Sequence, residues 1–577
     1  MRTGRDMGAL IPNRRTLRMG RFLWPFVRPW RYRLALALLA LGFVSGASLL
    51  FPWLLKVMID RLTGEGPSEA RLDRMALGLV AVLVLSAAGG YFEQVELKRL
   101  GYRLRNAVRR SLHSSLIARD MAFHRASRLG ELSSCASGDA GRLEDLFSGL
   151  IAPAVQNALF IGGCLALMSA LNPVATILVV LLVLLPLPVI ARLGGKIRSA
   201  TSRSRAGGAR AHALFDESLA AIREVKAFAR ERREGARYAR ALEEGLRAEE
   251  EGAALQVGIN QVVYVLVSGA LLAIFFFGTR QSFLPAWSLG DVIAFYFYSY
   301  TMTMAVLSAG KVYLSAQETA GAIERIMDIC AEGPPPLPRS RGNAAPGDAT
   351  IELRNVRFSY DGRHNVLDGL SLDIPPGTWL VITGQSGSGK STLAALLTGL
   401  YPPSAGSVRI AGLPPGSREG EALRGAIGYA GQEPVLVHGT LRENIAFRDA
   451  PASEEMIGAA VEACCLSSLV RSLPGGLDAH VGERGATLSG GEKSRVAVAR
   501  AILHDPPVLI LDEVNTMLDA ATERSLWENL LRARAERTTI VITHHTDAVP
   551  GGDEALVLRG GAIARPAAPR LERAGAR

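Results

Sequence analysis

"TWLVITGQSGSGKSTLAALLTGL", residues 378–400, decides the fold of the second half of this chain. An apolar run, Trp379–Thr383, leads into Gly384–Ser391, which matches G-x-x-x-x-G-K-[ST], and a helical pattern follows. Strand, glycine loop and helix in that order form a phosphate cradle. The glycines let backbone N–H groups curl around an anion at a helix N-terminus. Gly384, Gln385, Ser386, Gly387, Ser388, Gly389 and Thr392 are the expected cradle. Lys390 would neutralise the β- and γ-phosphates, and the Ser391 hydroxyl would ligate Mg²⁺.

Downstream, "VLILDE" (Val508–Glu513) is an apolar strand ending in two carboxylates. Asp512 is placed to hold Mg²⁺ through water, and Glu513 to polarise an attacking water as general base. "TTIVIT" ends at His544, where an imidazole can reach a γ-phosphate. With "TIELRNVRFSY" and "AIGYAG", these runs alternate with helical stretches, which predicts an α/β domain with a largely parallel sheet. Between the cradle and Asp512 lies "LSGGEKSRVAVARAIL" (488–503), a Ser-Gly-Gly turn opening a basic helix.

The first half has a different chemistry. Six uncharged apolar stretches lie in the first 310 residues: Leu34–Leu55, Met75–Phe92, Leu146–Leu171, Pro173–Ala191, Gly252–Gly278 and Val292–Gly310. Each is about long enough for a helix to cross a bilayer. Nine arginines precede Leu34, ten Lys/Arg lie in Glu93–Asp145 and fourteen in Arg192–Glu251, against four, none and one in the other connections. The positive-inside rule puts both termini in the cytoplasm. A bacterial-type inner (plasma) membrane is the expected location. The first run is long and lacks a small-residue cleavage site, so it does not read as a signal peptide.

The net charge of +11 follows this cytoplasmic bias and calls for no nucleic-acid partner, although anionic membrane lipids suit it. The five cysteines show no metal-ligand spacing and are read as free thiols. The long segments Glu93–Asp145 and Arg192–Glu251 have helical spacing, each expected as two helices of about 25 residues. They should turn near 123–132 and 219–228. "AEGPPPLPRSRGNAAPGD", 331–348, reads as a linker.

Cradle, Ser-Gly-Gly turn, Asp-Glu strand and strand-ending histidine, in this order, resemble the nucleotide-binding domain of an ATP-binding cassette (ABC) protein. The first half is similar to type IV exporter half-transporters. The resemblance implies that Tyr360 stacks on adenine. It makes Gln432 the glutamine that senses Mg²⁺ and the transmembrane domain, and Asp519, in "NTMLD", the D-loop aspartate. It also implies that Ser489, Gly490, Gly491 and Glu492 form the signature turn, which faces ATP held by a second half. Two departures stand out: Glu492 replaces the usual glutamine, and "VNTMLD" replaces Ala-Thr-Ser-Ala-Leu-Asp.

The expected architecture is therefore multi-domain. A six-helix transmembrane domain with long cytoplasmic extensions (34–330) follows an N-terminal segment (1–33). After the linker comes an α/β P-loop, RecA-like nucleotide-binding domain with a helical subdomain (349–563), then a tail (564–577). ATP and Mg²⁺ are the expected cofactors. A second half-transporter is the expected partner, a homodimer being favoured over a heterodimer because Glu513 is intact. The expected activity is ATP-driven export of a lipidic, amphipathic or drug-like compound. A peptide exporter, and an ATP-gated channel or regulator, are the alternatives. "FYFYSYTMTM", Phe295–Met304, together with Asn260, Gln261 and Tyr264, is the candidate substrate surface.

Overall fold

The computed structural model describes residues 14–63, 69–127, 129–185, 187–278, 287–330, 349–415, 427–447, 451–544, 549 and 554–564. The expected linker, 331–348, lies outside the described residues, as do the first thirteen residues and 565–577. The chain divides into two compact units. One comprises Met1–Ile117 and Gly130–Gly333, the other Ala118–Leu129 and Pro334–Arg577.

The first unit is helical. Helices lie over all six apolar runs: Arg31–Thr63, Glu69–Ala118, Ala152–Leu171 with the π turn Leu146–Ile151 before it, Pro173–Leu184 followed by Leu187–Ala220, Glu231–Gly278 and Leu289–Cys330. Among the described residues, four of the helices are long and apolar enough to cross a membrane. The fourth run is split, its first helix stopping at Leu184 ahead of Pro186 and Pro188. A proline within a helix removes a hydrogen-bond donor and clashes with the preceding turn, so a break there is expected.

Of the two long polar segments, the first departs from a plain pair of helices and the second forms the expected pair. Glu69–Ala118 is one helix of 50 residues that carries the second apolar run straight into its polar extension. The return arm, from Leu129 onward, is interrupted by π-helical turns at Cys135–Asp139 and Leu146–Ile151. Its sequence, "SSCASGDAG", is rich in residues whose side chains compete for backbone hydrogen bonds or leave the backbone loose. Arg109 braces the first π turn by donating to the carbonyls of Ala136 (3.0 Å) and Ser137 (3.1 Å). The second pair, Leu187–Ala220 and Glu231–Gly278, is regular and is laced by Arg203–Glu251 (2.7 Å) and Arg210–Glu244 (3.5 Å). Short helices stand at both turning points, Met121–Ala126 and Ile222–Ala227.

The second unit is built on two sheets. Strands β1 (Ile351–Phe358), β2 (Leu367–Ile374) and β4 (Ala405–Ile410) form an antiparallel sheet in the order β2-β1-β4. The larger sheet adds β3 (Trp379–Gly384), β5 (Ile427–Ala430), β6 (Val508–Asp512), β7 (Thr538–Ile542), β8 (Glu554–Arg559) and β9 (Ala562–Ala564). Its order is β5-β6-β7-β3-β8-β9, parallel up to the β8–β9 hairpin. β6 and β7 are buried at every position, which is why they read as unbroken apolar runs rather than alternating ones. Leu380, Ile382 and Ile510 face a core shared with the antiparallel sheet and the helix Lys390–Leu397. Val381, Leu509 and Leu511 point to the other face, where the helices Gly490–Ile502 and Ala520–Ala533 pack with Val496 and Trp527.

Candidate functional site

The strand order places the candidate residues at one edge. In the run β5-β6-β7-β3, Gln432 follows β5, Asp512 and Glu513 end β6, His544 follows β7, and the glycine loop follows β3. Register keeps them level: Ala430 pairs with Leu511, Asp512 with Ile542, and Ile542 with Ile382. Ligands of open parallel sheets bind at this carboxyl edge.

Glu513 is the hub. Its Oε2 accepts from Gln432 Nε2 at 2.6 Å. Its Oε1 lies 2.6 Å from His544 Nε2 and 3.9 Å from Lys390 Nζ. The side chain is buried, and the backbone is left-handed (φ 52°), held by its N–H donating to the Ile542 carbonyl at 2.9 Å. A non-glycine residue in that region is strained and is retained where the surroundings impose it.

Lys390 is also buried. It donates to the carbonyls of Gly384 (2.9 Å) and Gln385 (3.1 Å), so the loop closes on its own lysine. Gly389, which caps the helix Lys390–Leu397, has φ 103°, a conformation a side chain would strain. Burial pulls the lysine pKa down, opposed by Glu513 and Asp512. Burial also pushes Asp512 up from the usual carboxylate range, with a hydrogen bond from Ser391 pulling the other way.

The residues fit a nucleotide with its metal. Asp512 Oδ1 and Ser388 Oγ are buried with no hydrogen-bond partner among the described residues. A buried carboxylate oxygen left unpaired is costly, and a hard cation or its water would satisfy it. The Ser391 hydroxyl and the amide oxygen of Gln432 are the neighbouring oxygen donors that suit Mg²⁺. Gln385, Ser386 and Gly387 are exposed, and among the described residues their backbone N–H groups have no backbone acceptor, which leaves these donors for phosphate.

The outlying residues are also placed. Tyr360 donates to or accepts from Thr392 Oγ1 at 3.2 Å and stands edge-on to Phe358 and Tyr401. Ser489 caps the helix Gly490–Ile502, and Glu492 completes a reciprocal capping box. Asp519 caps the helix Ala520–Ala533 through Thr522 N–H (2.9 Å) and is held below the usual carboxylate range by that bond. Among the described residues, no hydrogen bond or ion pair joins the Ser489–Glu492 turn to Gly384–Thr392. One chain thus brings Gln432, Glu513, His544 and Lys390 together without the Ser489–Glu492 turn.

Comparison with known proteins follows the same division. Residues 34–306 match the family "ABC transporter transmembrane region", and residues 367–516 match the family "ABC transporter". The "Mitochondrial potassium channel ATP-binding subunit" of Pongo abelii is 33% identical over 561 residues, covering 94% of this chain and 77% of that protein. The chain is an ABC transporter. Mouse "ATP-binding cassette sub-family B member 10, mitochondrial" is 31% identical over 93% of the transporter and 76% of its own length. A solved bacterial Atm1-family ABC exporter with ATP bound matches with TM-score 0.77 and 26% identity, covering 93% of this chain and 94% of that one. The transporter is a multi-pass, sub-family B type half-transporter, an ATPase coupled to transport, and it requires a second half.

Two features of the transporter's site escape a reading of sequence alone. Asn444, fully buried, exchanges hydrogen bonds with Val437 N–H and C=O (both 2.9 Å). Arg500 then donates to the Asn444 carbonyl (2.8 Å) and Oδ1 (3.0 Å) and to Val435 C=O (3.3 Å). This clasp ties the signature helix to the segment after Gln432. Its one sequence signal is an arginine amid alanines at 499–501. The second feature is Met517, whose thioether lies across Gly490. That thioether is the far end of a flexible, exposed side chain, so it does not by itself demand glycine at 490; at Gly491 a Cβ would come within 2.6 Å of the Met517 backbone carbonyl, which does hold that position to glycine.

Proposed function

We propose that two copies of the transporter form a homodimer that exports a lipidic or amphipathic compound by alternating access. Cargo would enter from the cytoplasm or inner leaflet of a bacterial-type inner membrane. In this reading Glu513 is the general base, His544 and Lys390 meet the γ-phosphate, and Tyr360 stacks on adenine. Ser391, Asp512 and Gln432 hold Mg²⁺, which supplies charge neutralisation at the phosphates. The partner's Ser489–Gly491 turn and Asp519 segment complete each site.

The observation that carries the cargo class is the helix Leu289–Cys330. Phe295, Tyr298, Ser299, Met302 and Thr303 are buried against neighbours such as Cys164, Met168 and Trp287, which is the packing role. Tyr296, Tyr300, Met304 and Leu307 leave the other side as an exposed stripe at helical spacing. Aromatic and thioether groups on one face suit an adaptable apolar ligand. Asn260, Gln261 and Tyr264 are also exposed, Asn260 accepting from Gln256 at 3.2 Å.

The test is the purified chain alone in lipid nanodiscs, then in inside-out vesicles with amphipathic dyes. ATPase activity without any partner chain, and ATP-dependent dye accumulation, support the reading. A folded, ATP-binding chain that turns over only with a second polypeptide overturns the homodimer. A second reading, a channel's ATP-binding subunit, is favoured by the 33% identity to the protein of that name. Ion currents gated by ATP without concentrative uptake would select it.

A further inference from the structure

Arg125 sits in the helix Met121–Ala126, at the turning point between long helices of the first unit. By its contacts this segment, Ala118–Leu129, belongs to the nucleotide-binding unit. Its shape is fixed locally. Asp120 caps the helix through Phe123 N–H at 2.8 Å, Ser127 N–H closes on the Phe123 carbonyl at 2.9 Å, and Arg119 lies over the Phe123 ring. The exposed Arg125 guanidinium lies 3.9 Å over the centroid of the Tyr360 ring.

That ring cannot easily turn away. Its hydroxyl is tied to Thr392, and its plane stands at 89° to Phe358 (centroids 4.8 Å apart) and 88° to Tyr401 (5.4 Å). At 3.9 Å the guanidinium occupies the layer that a purine stacked on the same face would need. Both are planar π-face ligands, and one face holds one of them.

We propose that Arg125 competes with the adenine base for the face of Tyr360, so that the first turning segment reads base occupancy at the nucleotide site. This rests on the reading of Tyr360 as the base-stacking residue. Arg125 is a positioning residue here: its guanidinium holds the segment on Tyr360 when no base is present and is displaced when one stacks. Release of that anchor at the root of the Glu69–Ala118 helix then reports nucleotide binding to the membrane helices.

The experiment compares binding of ATP and of inorganic tripolyphosphate by calorimetry, using the full chain in nanodiscs with EDTA. Arg125→Ala should tighten ATP about two- to fivefold, the scale of an exposed cation–π contact. Tripolyphosphate, which has no base, should bind as before. In a Tyr360→Ala background, Arg125→Ala should change neither ligand, because a double-mutant cycle isolates the pair. Unchanged or weaker ATP binding in Arg125→Ala overturns the proposal, as does an equal change for both ligands or an undiminished effect without Tyr360. Wild-type protein that fails to bind ATP overturns the nucleotide-site reading instead, so the two failures are distinguishable.

Discussion

The Glu492 carboxylate accepts two hydrogen bonds from one residue, from the backbone N–H of Ser489 at 2.7 Å and from its hydroxyl at 2.8 Å. A serine hydroxyl has one proton. While Glu492 holds it, Ser489 has none to donate to a phosphate, and the carboxylate adds a like charge nearby. Glutamine at 492 keeps an oxygen for the cap and removes the charge. Glu492→Gln should therefore lower the ATP concentration for half-maximal turnover about fivefold, corresponding to ~1 kcal/mol of relieved repulsion in a water-like setting. An ATP titration of hydrolysis measures it. No change, or a rise, would mean that the cap geometry outweighs the charge.

Glu513→Gln keeps the shape of the hub and removes the proposed base. Hydrolysis should fall about 10²- to 10⁴-fold, the usual contribution of a positioned general base, while ATP still binds. Steady-state turnover and nucleotide affinity, measured on the same sample, separate these effects. Turnover within a few-fold of wild type would move the base role away from the residue at the centre of the Gln432–His544–Lys390 cluster.

Much of this site was legible in sequence because phosphate chemistry is local. A loop that curls its own backbone around an anion needs its glycines, Lys390 and Ser391 within eight residues, and a buried parallel strand that ends at a ligand reads as "VLILDE". What brings Gln432, Glu513 and His544 to one edge is the order β5-β6-β7-β3, set by pairings between strands far apart in the chain. Arg125 and Tyr360 carry no mutual signal, since a cation–π contact across 235 positions has no spacing rule. The return arm after Leu129 misled for another reason. Its helical periodicity is real, but Ser, Gly and Asp at 133–141 favour wider turns that periodicity does not reveal.

Arg500 offers a stability test. Burial lowers its pKa, and its guanidinium is the partner of the Asn444 carbonyl and Oδ1 and of Val435 C=O. Arg500→Ala leaves these acceptors short of a donor at a cost of about 1–3 kcal/mol. Arg500→Lys recovers only part of it, because an ammonium lacks the planar fork. Thermal unfolding should show both variants destabilised, alanine more than lysine, with ATP affinity in the folded protein unchanged. Equal melting temperatures for wild type and alanine would remove the clasp from the account.

Cys135 predicts a pH dependence. Burial, then the nearby Asp139 carboxylate, pushes its thiol up to about 11. The thiolate is the reactive form, so a raised pKa means slow alkylation at neutral pH and acceleration as pH climbs towards 11. Cys464, fully buried, shifts in the same direction through burial. Maleimide labelling of native protein, followed by mass spectrometry, should leave both unmodified at pH 7 while unfolded protein reacts at once. Rapid native labelling of Cys135 would show that the π turn opens readily.

The stripe on the helix Leu289–Cys330 separates cargo contact from packing. Tyr298 is buried and donates its hydroxyl to the Leu49 carbonyl at 2.9 Å, whereas Tyr300 is 46% exposed on the opposite side. Tyr298→Ala opens a cavity, so it should lower thermal stability by about 3–5 kcal/mol, as large core truncations do. Tyr300→Ala should melt like wild type and hydrolyse ATP at a similar basal rate. Its stimulation by amphipathic compounds should weaken several-fold, in the half-maximal concentration rather than in the maximal rate, because a lost contact made equally before and during transport changes affinity alone. If Tyr300→Ala and Met304→Ala both leave every stimulation curve unmoved, the stripe faces lipid or the second half-transporter, and the cargo surface must be sought on another helix.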